Sequence, residues 1–145
     1  LTGLAVTSIE EMKKAAEALH AMGAKNVVIK GGHAAGDPVD LLFDGSRFYE
    51  FASERLKTRD THGTGCVFAG AIAVGLAEGL PVADAVARAK RLVFAAIHGS
   101  IRIGNGQGPV NPMAFHNEPF SSQGIAKVST TPSNGGLTHI KRIIR

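Results

Sequence analysis

The sequence predicts an α/β protein. Residues 8–22 carry an amphipathic helical pattern, and after a brief loop residues 26–30 form a short β-branched run. A helix followed by such a strand is typical of half a parallel-sheet unit. The length of 145 residues favours one domain. The content of 44% hydrophobic and 19% charged residues is that of a globular protein.

The first helix has a sequence signal at each end. Ser8 and Glu11 predict a capping box, in which each side chain accepts a hydrogen bond from the other residue's backbone amide. Gly23 is placed to end the helix, because glycine adopts the left-handed conformation easily. Apolar residues at helical spacing make one stripe between these signals: Met12, Ala15, Ala16, Leu19 and Met22.

A hairpin is expected next along the chain. Residues 39–43 and 47–51 are rich in apolar side chains and flank the pair Asp44 and Gly45. This pair tolerates the positive φ angles of a tight turn. The two runs are therefore predicted to pair as antiparallel strands.

Two helices are expected in the second half of the chain. Residues 67–78 are rich in alanine and nearly uncharged, which predicts a helix buried on most of its faces. Pro81 opens a further helix over residues 82–97. Its basic residues are expected on the solvated side: Arg88, Lys90 and Arg91. Residues 104–112 are rich in glycine and proline and are predicted to form a loop.

The basic excess lies in a short tail. Residues 115–145 hold four basic side chains against Glu118 alone, so they carry most of the formal net charge of +4. Residues 1–114 are nearly neutral, which argues against a nucleic-acid partner. The tail is low in large apolar residues and is predicted to be disordered.

Several classes of protein are excluded. Cys66 is the only cysteine, so the chain has no internal disulfide and no zinc-type cysteine pair. No apolar run approaches the ~20 residues that span a bilayer, and the N-terminus lacks a signal-peptide pattern. The histidines show no metal-ligand spacing, so no metal site built by the protein is expected. The sequence thus predicts a soluble, cytoplasmic protein with no membrane partner.

Residues 60–66, Asp-Thr-His-Gly-Thr-Gly-Cys, hold the clearest functional motif. Gly63 and Gly65 remove two Cβ atoms where the backbone must turn sharply into an apolar helix. Free amides and the positive end of the helix dipole would together bind an anion there. Such a site could bind the charge that develops on a phosphoryl group during its transfer. The amides concerned belong to Gly63, Thr64, Gly65 and Cys66.

Cys66 has two interpretations from the residues alone. In the first turn of a helix the dipole favours the thiolate, which could take a proton from a hydroxyl that attacks phosphorus. A single cysteine is also commonly an inert, buried side chain. The spacing of the motif leaves both interpretations open.

Four motifs resemble one family of enzymes. Residues 60–79 resemble the signature of ribokinase-like small-molecule kinases. The Thr-His-Gly-Thr-Gly-Cys form of that signature is similar to the hydroxymethylpyrimidine/phosphomethylpyrimidine kinases of thiamine biosynthesis. Three further runs are similar to motifs of the same family and occur in the same order, at residues 28–33, 40–45 and 106–111. The resemblance covers residues 1–114.

The resemblance implies a fold and a reaction. The fold is the ribokinase-like three-layer α/β/α arrangement, of which this chain would hold the C-terminal part of the sheet and its helices. The reaction is the phosphorylation by ATP of 4-amino-5-hydroxymethyl-2-methylpyrimidine, of its monophosphate, or of both. ATP would bring Mg²⁺, held largely by phosphates and waters. The resemblance also implies a homo-oligomer for the full-length family.

The resemblance also implies roles for particular residues. Cys66 would be the catalytic base, at a position where most sugar kinases of this kind have an aspartate. Asp60 and Thr61 would set the approach of the loop. Lys30 would lie near the nucleotide phosphates, although its position alone favours an ordinary solvated lysine at a strand end. The anion hole would be formed by Gly63, Thr64, Gly65 and Cys66.

Two features depart from the family pattern. The opening βαβ units and the acidic motif of these kinases have no counterpart in residues 1–145, so the chain resembles a C-terminal portion with little of the substrate pocket. The tail from residue 115 does not resemble the end of the family. Three alternatives therefore stand beside the pyrimidine kinase: a hydroxyethylthiazole kinase, a pyridoxal kinase and an inactive nucleotide-binding fragment.

Overall fold

The computed structural model describes residues 2–32, 36–117 and 128–133. Their contacts divide the chain into two units. Unit 1 consists of Leu1–Glu54 and Ala126–Arg145, and unit 2 consists of Arg55–Ile125.

Unit 1 combines one helix with an antiparallel sheet. Helix α1 spans Ile9–Ala21, and the strands are β1 (Val27–Ile29), β2 (Val39–Phe43), β3 (Arg47–Ala52) and β4 (Val128–Pro132). The strands are hydrogen-bonded in the order β1-β2-β3-β4, and each neighbouring pair is antiparallel. The parallel pairing expected after α1 is therefore absent from the described residues. The hairpin strand β2, which follows β1 directly in the chain, lies beside it instead.

Local signals set the limits of α1. The Ser8 hydroxyl accepts a hydrogen bond from the Glu11 amide at 3.3 Å, and the Glu11 carboxylate accepts one from the Ser8 amide at 3.0 Å, which confirms the capping box. The Thr7 hydroxyl also donates to the Glu11 carboxylate at 2.7 Å, and this bond is the largest cause that lowers the pKa of Glu11 to about 2. Gly23, with φ of 109°, follows the end of the helix as predicted.

The core of unit 1 lies between α1 and the sheet. Both elements contribute buried apolar side chains: Met12, Ala16, Val27, Leu41, Phe43 and Phe48. The rings of Phe43 and Phe48 stack with their centroids 4.4 Å apart across the β2–β3 pair. The apolar stripe predicted for α1 therefore faces the sheet at Met12, Ala16 and Leu19, whereas Met22, at the end of the helix, is 67% exposed.

Strands β2 and β3 form the predicted hairpin around Asp44. The Asp44 carboxylate accepts hydrogen bonds from the amides of Ser46 at 2.9 Å and Arg47 at 2.8 Å, and from the Tyr49 hydroxyl at 2.8 Å. Gly45 has φ of 92°, the left-handed conformation that the Asp-Gly pair predicts. The turn thus fixes the register in which Phe43 lies opposite Phe48.

The tail of residues 115–145 contains regular structure. Helix α4 spans Ala114–Asn117, and β4 pairs with β3, with Thr131 opposite Phe48. The prediction of a disordered tail is therefore wrong for these described residues, because the edge of β3 offers backbone groups that an extended segment can pair with. The remaining residues of the tail lie outside the described part of the chain.

Unit 2 is built on the long helices α2 (Thr64–Ala77) and α3 (Val82–His98). The prediction that α2 is buried on most faces is wrong, since only Phe68 and Gly75 are buried within it. Val74 and Leu76 are 51% and 47% exposed. An apolar composition does not itself supply a partner for every face of a helix, and α3 is the principal partner of α2 in this unit.

Helix α3 begins and ends close to its predicted limits and carries Asp84 in its first turn. The prediction that Lys90 lies on the solvated side is wrong, because its exposed fraction is 6%. Val86 and Val93 on the same helix are also buried. A lysine stem can be buried along an apolar surface. Arg88 forms an ion pair with Glu78.

Among the described residues, none of the helices has the length and apolar character needed to cross a membrane.

Candidate functional site

The turn into α2 depends on Gly63. Gly63 is the N-cap residue, with φ of 89° and ψ of −3°, a left-handed conformation that L-amino acids with a side chain adopt at a cost of about 1–2 kcal/mol. Its carbonyl accepts the first helical hydrogen bond, from the Val67 amide at 3.0 Å. The sharp turn predicted before the helix is therefore made at Gly63.

The amides at the start of α2 differ in their hydrogen bonds. The Thr64 amide donates to the Thr61 carbonyl at 3.4 Å, so it serves the turn itself. In the described part of the chain, no group accepts a hydrogen bond from the amides of Gly63, Gly65 or Cys66. The amides of Gly65 and Cys66 belong to the first turn of a 14-residue helix, where the positive end of the helix dipole favours an anion.

Gly65 and Cys66 both face open space. A Cβ atom added to Gly65 would meet no atom within 4 Å, and its backbone is helical, so nothing in the described residues requires glycine there. Cys66 is exposed, which rules out a cysteine buried in the described structure. A small residue followed by an exposed thiol leaves room for a ligand against the two amides.

A second segment lies directly against the residues that precede Gly63. The His62 amide donates to the Gly108 carbonyl at 3.1 Å, and the Val110 amide donates to the His62 carbonyl at 3.0 Å. These bonds form a parallel bridge between His62 and Pro109. The Gln107 side-chain amide donates to the Thr61 hydroxyl at 2.7 Å. The predicted loop of residues 104–112 is thus fixed to the motif along its second half.

Asp60 lies beneath this loop. Its carboxylate is buried, with the residue 6% exposed, and accepts a hydrogen bond from the Gly108 amide at 3.0 Å. The Arg102 guanidinium lies 3.8 Å from the same oxygen. The residues separating Asp60 from Gly108 in sequence are too many for a spacing rule to connect them, so this contact was not predicted.

Lys30 lies in unit 1, directly after β1, and is exposed. The turn that follows it is held by Asp40, whose buried carboxylate accepts a hydrogen bond from the Gly31 amide at 3.0 Å. The other predicted site residues, from Gly63 to Cys66, are consecutive and lie in unit 2. His33, part of the motif at residues 28–33, lies outside the described residues.

The described residues contain no group of three or more His, Cys, Asp or Glu side chains that could hold a metal ion.

The family model for phosphomethylpyrimidine kinase matches residues 1–111. The chain belongs to the phosphomethylpyrimidine kinase family. The match covers the motif that begins α2 and the part of the loop that is bound to it.

Similar curated proteins have names from thiamine biosynthesis. The thiamine biosynthesis bifunctional protein ThiED of Geobacter sulfurreducens is 54% identical over 112 residues, which are 77% of this chain and 23% of that protein. The hydroxymethylpyrimidine/phosphomethylpyrimidine kinase of Bacillus subtilis is 44% identical over 117 residues, which are 79% of this chain and 43% of that protein. The chain therefore spans less than half the length of these relatives.

Several similar solved structures are pyridoxal kinases. The enzyme from Staphylococcus aureus in complex with AMP-PCP and pyridoxal matches with a TM-score of 0.77 and 35% identity, over 88% of this chain and 46% of that one. The ADP complex of Bacillus subtilis pyridoxal kinase matches with a TM-score of 0.75 and 36% identity, over 78% of this chain and 45% of that one. These neighbours are ribokinase-like, which confirms the predicted fold class.

Proposed function

We propose that this protein uses ATP to phosphorylate 4-amino-5-hydroxymethyl-2-methylpyrimidine, its monophosphate, or both, as a step in thiamine diphosphate biosynthesis. The observation that carries the proposal is the start of α2, where the amides of Gly65 and Cys66 have no hydrogen-bond acceptor among the described residues and lie beside an exposed thiol. Membership of the phosphomethylpyrimidine kinase family supports the choice of substrate. Residues 1–114 are proposed as the kinase portion of the chain.

The proposed anion hole acts on the phosphoryl group in transfer. The amides of Gly65 and Cys66, with Gly63 beside them, donate hydrogen bonds to the oxygens on which charge develops, and the helix dipole adds to this stabilisation. Thr64 contributes less, because its amide already donates to the Thr61 carbonyl at 3.4 Å. A preorganised set of donors of this kind needs no rearrangement at the moment of transfer.

Cys66 is proposed as the base. Its thiolate takes the proton of the substrate hydroxyl, or of a phosphate oxygen when the monophosphate is the substrate. The freed oxygen forms a bond to the γ-phosphorus of ATP, and the bond between that phosphorus and the β–γ bridging oxygen breaks, leaving ADP. Support for this role comes from the position of Cys66 in the first helical turn and from its exposure.

Lys30 is proposed to bind the nucleotide phosphates. It is exposed after β1, on a turn held by the buried Asp40, which limits the positions its backbone can take. Mg²⁺ is proposed to arrive bound to ATP, and no step is assigned to a metal held by the described residues. The complexes of the pyridoxal kinases with ADP and AMP-PCP support a nucleotide site in proteins of this fold.

A second candidate, pyridoxal kinase, is favoured by the structural neighbours, one of which holds pyridoxal and AMP-PCP. The pyrimidine is preferred because the curated relatives with that name share 42–48% identity, against 35% for that neighbour.

The full-length protein should be incubated with ATP, Mg²⁺ and one acceptor at a time, and ADP release measured. The acceptors are the hydroxymethylpyrimidine, its monophosphate, pyridoxal and hydroxyethylthiazole. We expect the highest kcat/KM with one or both pyrimidines. Phosphorylation of pyridoxal or the thiazole alone would replace the proposed substrate, and nucleotide binding without turnover on any acceptor would favour an inactive nucleotide-binding protein.

A further inference from the structure

We propose that Asp60 is a positioning residue that holds the loop of residues 104–112 in place and thereby fixes the amides at the start of α2. This inference rests on the proposed function of those amides. Asp60 does not act on the substrate in this account. It sets the geometry of the residues that do.

The burial of Asp60 indicates a specific role. A carboxylate that is removed from water must be hydrogen-bonded or paired, because an uncompensated buried charge is strongly unfavourable. Asp60 is 6% exposed and its carboxylate accepts the Gly108 amide at 3.0 Å, with the Arg102 guanidinium 3.8 Å from the same oxygen. The carboxylate thus holds an otherwise irregular loop at one backbone position.

Gly108 fits this carboxylate closely. A Cβ atom added to Gly108 would collide with Oδ1 of Asp60 and would lie 2.7 Å from its Cγ and 3.2 Å from its Cβ. The three nearest atoms all belong to the Asp60 side chain. The closest overlaps therefore come from the Asp60 carboxylate, and Asp60→Ala should relieve them, leaving a contact of 3.2 Å with the Asp60 Cβ atom.

Only Thr61 and His62 separate Asp60 from Gly63, where the proposed anion hole begins. Next to Asp60, the Thr61 hydroxyl accepts the Gln107 side-chain amide at 2.7 Å, and both backbone groups of His62 are bonded to the loop. Gly63 follows directly and begins α2. A displacement of the loop would therefore move the first turn of α2, and a misplacement of about 1 Å in an active site can cost about 10²-fold in rate.

The test compares the full-length protein with the variants Asp60→Ala, Gly108→Ala and the double variant. We expect Gly108→Ala alone to lower kcat by about 10²-fold. In the Asp60→Ala background the same change should cost less than about threefold, because interaction energies between contacting residues make their effects non-additive. Asp60→Asn keeps an oxygen that can accept the Gly108 amide and should restore most of the kcat lost in Asp60→Ala.

Hydrogen exchange provides a readout that needs no turnover. In Asp60→Ala the amides of His62, Gly108 and Val110 should exchange about tenfold faster or more, because loss of a buried contact promotes local opening. Gly99→Ala is the matched control, since an added Cβ there would collide with the Cβ of Ala114 instead. It should lower stability while the kcat of the folded protein stays unchanged.

Two results would overturn the inference: equal costs of Gly108→Ala in both backgrounds, or unchanged exchange of the three amides in Asp60→Ala. Failure of the proposed function has a different signature. In that case the wild-type protein phosphorylates none of the acceptors, while the exchange of the three amides still responds to Asp60.

Discussion

Each unit of the molecule contains a buried aspartate that accepts a hydrogen bond from the amide of a glycine in a turn or loop next to a predicted site residue or motif. In unit 1 Asp40 accepts the Gly31 amide at 3.0 Å, and in unit 2 Asp60 accepts the Gly108 amide at 3.0 Å. The two glycines are required for different reasons. A Cβ atom on Gly31 would collide with the backbone of β2 at Val39, whereas one on Gly108 would collide with the side chain of Asp60.

This difference shows how each turn is built. The turn after Lys30 is packed against a strand backbone that no single substitution removes. The turn at Gly108 is packed against one side chain, so its geometry depends on the identity of residue 60. Hydrogen bonds of the same kind therefore occur in two settings. In unit 1 the glycine is constrained by backbone, and in unit 2 it is constrained by a side chain that a substitution can remove.

The largest effect on stability is expected from Gly31→Ala. The added Cβ atom would overlap the carbonyl oxygen of Val39 and lie 3.0 Å from its carbonyl carbon, so we expect a loss of about 3 kcal/mol or more, the upper range for overpacking. Asp60→Ala should rescue Gly108→Ala, but Asp40→Ala should not rescue Gly31→Ala. Urea unfolding measures both variants.

Gly32→Ala is the matched control for Gly31→Ala. A Cβ atom at Gly32 would meet nothing within 4 Å, so the free energy of unfolding should change by less than about 1 kcal/mol. Rescue of Gly31→Ala by Asp40→Ala would show that the two turns are built in the same way, contrary to the comparison.

A second pair of glycines separates structural from ligand-related requirements within α2. Gly65 and Gly70 are both helical, and an added Cβ atom meets nothing within 4 Å at either. Replacement by alanine should stabilise the helix by up to about 1 kcal/mol in each case. Gly65→Ala should nevertheless lower kcat by up to about 10²-fold, because its Cβ atom would lie where the phosphoryl group approaches. Gly70→Ala should retain the wild-type kcat.

The measurements are thermal unfolding and ADP release on the same samples. If Gly65→Ala and Gly70→Ala had equal kcat, the space beside Gly65 would have no part in phosphoryl transfer.

The smallest effect concerns the pH dependence of unit 1. Hydrogen bonds, above all from the Thr7 hydroxyl, lower the pKa of Glu11 from 4.5 to about 2. Because the folded pKa is the lower one, this carboxylate contributes stability above pH 4.5, which is lost as the pH falls towards 2. Glu11→Gln should reduce the slope of stability against pH in this window. Thr7→Val should reduce it partly, and unchanged slopes in both would contradict the assignment.

Local features of the fold were predictable from the sequence because their causes are local. The capping box of Ser8 and Glu11 involves neighbouring residues in one turn, and the Asp44-Gly45 turn fixes its own hairpin. The position of Cys66 in the first turn of a helix followed from the adjacent glycines.

Features that depend on distant partners were not predictable. The composition of α2 does not show which of its faces pack against another element, so its burial is overestimated from the sequence. The burial of Lys90 depends likewise on residues that pack around it only in the folded chain. The pairing of β4 with β3 joins segments far apart in sequence. The contact of Asp60 with Gly108 is likewise visible only in three dimensions.

The central claim, that Cys66 acts as a base at the start of α2, is tested most directly by steady-state kinetics of Cys66→Ala and Cys66→Asp in the full-length protein. With saturating ATP and the pyrimidine acceptor, Cys66→Ala should lower kcat by about 10²–10⁴-fold, the usual contribution of a positioned base. Cys66→Asp supplies a carboxylate base at the same position and should recover a large part of that loss. Nucleotide affinity should be nearly unchanged in both variants. A Cys66→Ala protein with the wild-type kcat would contradict the account.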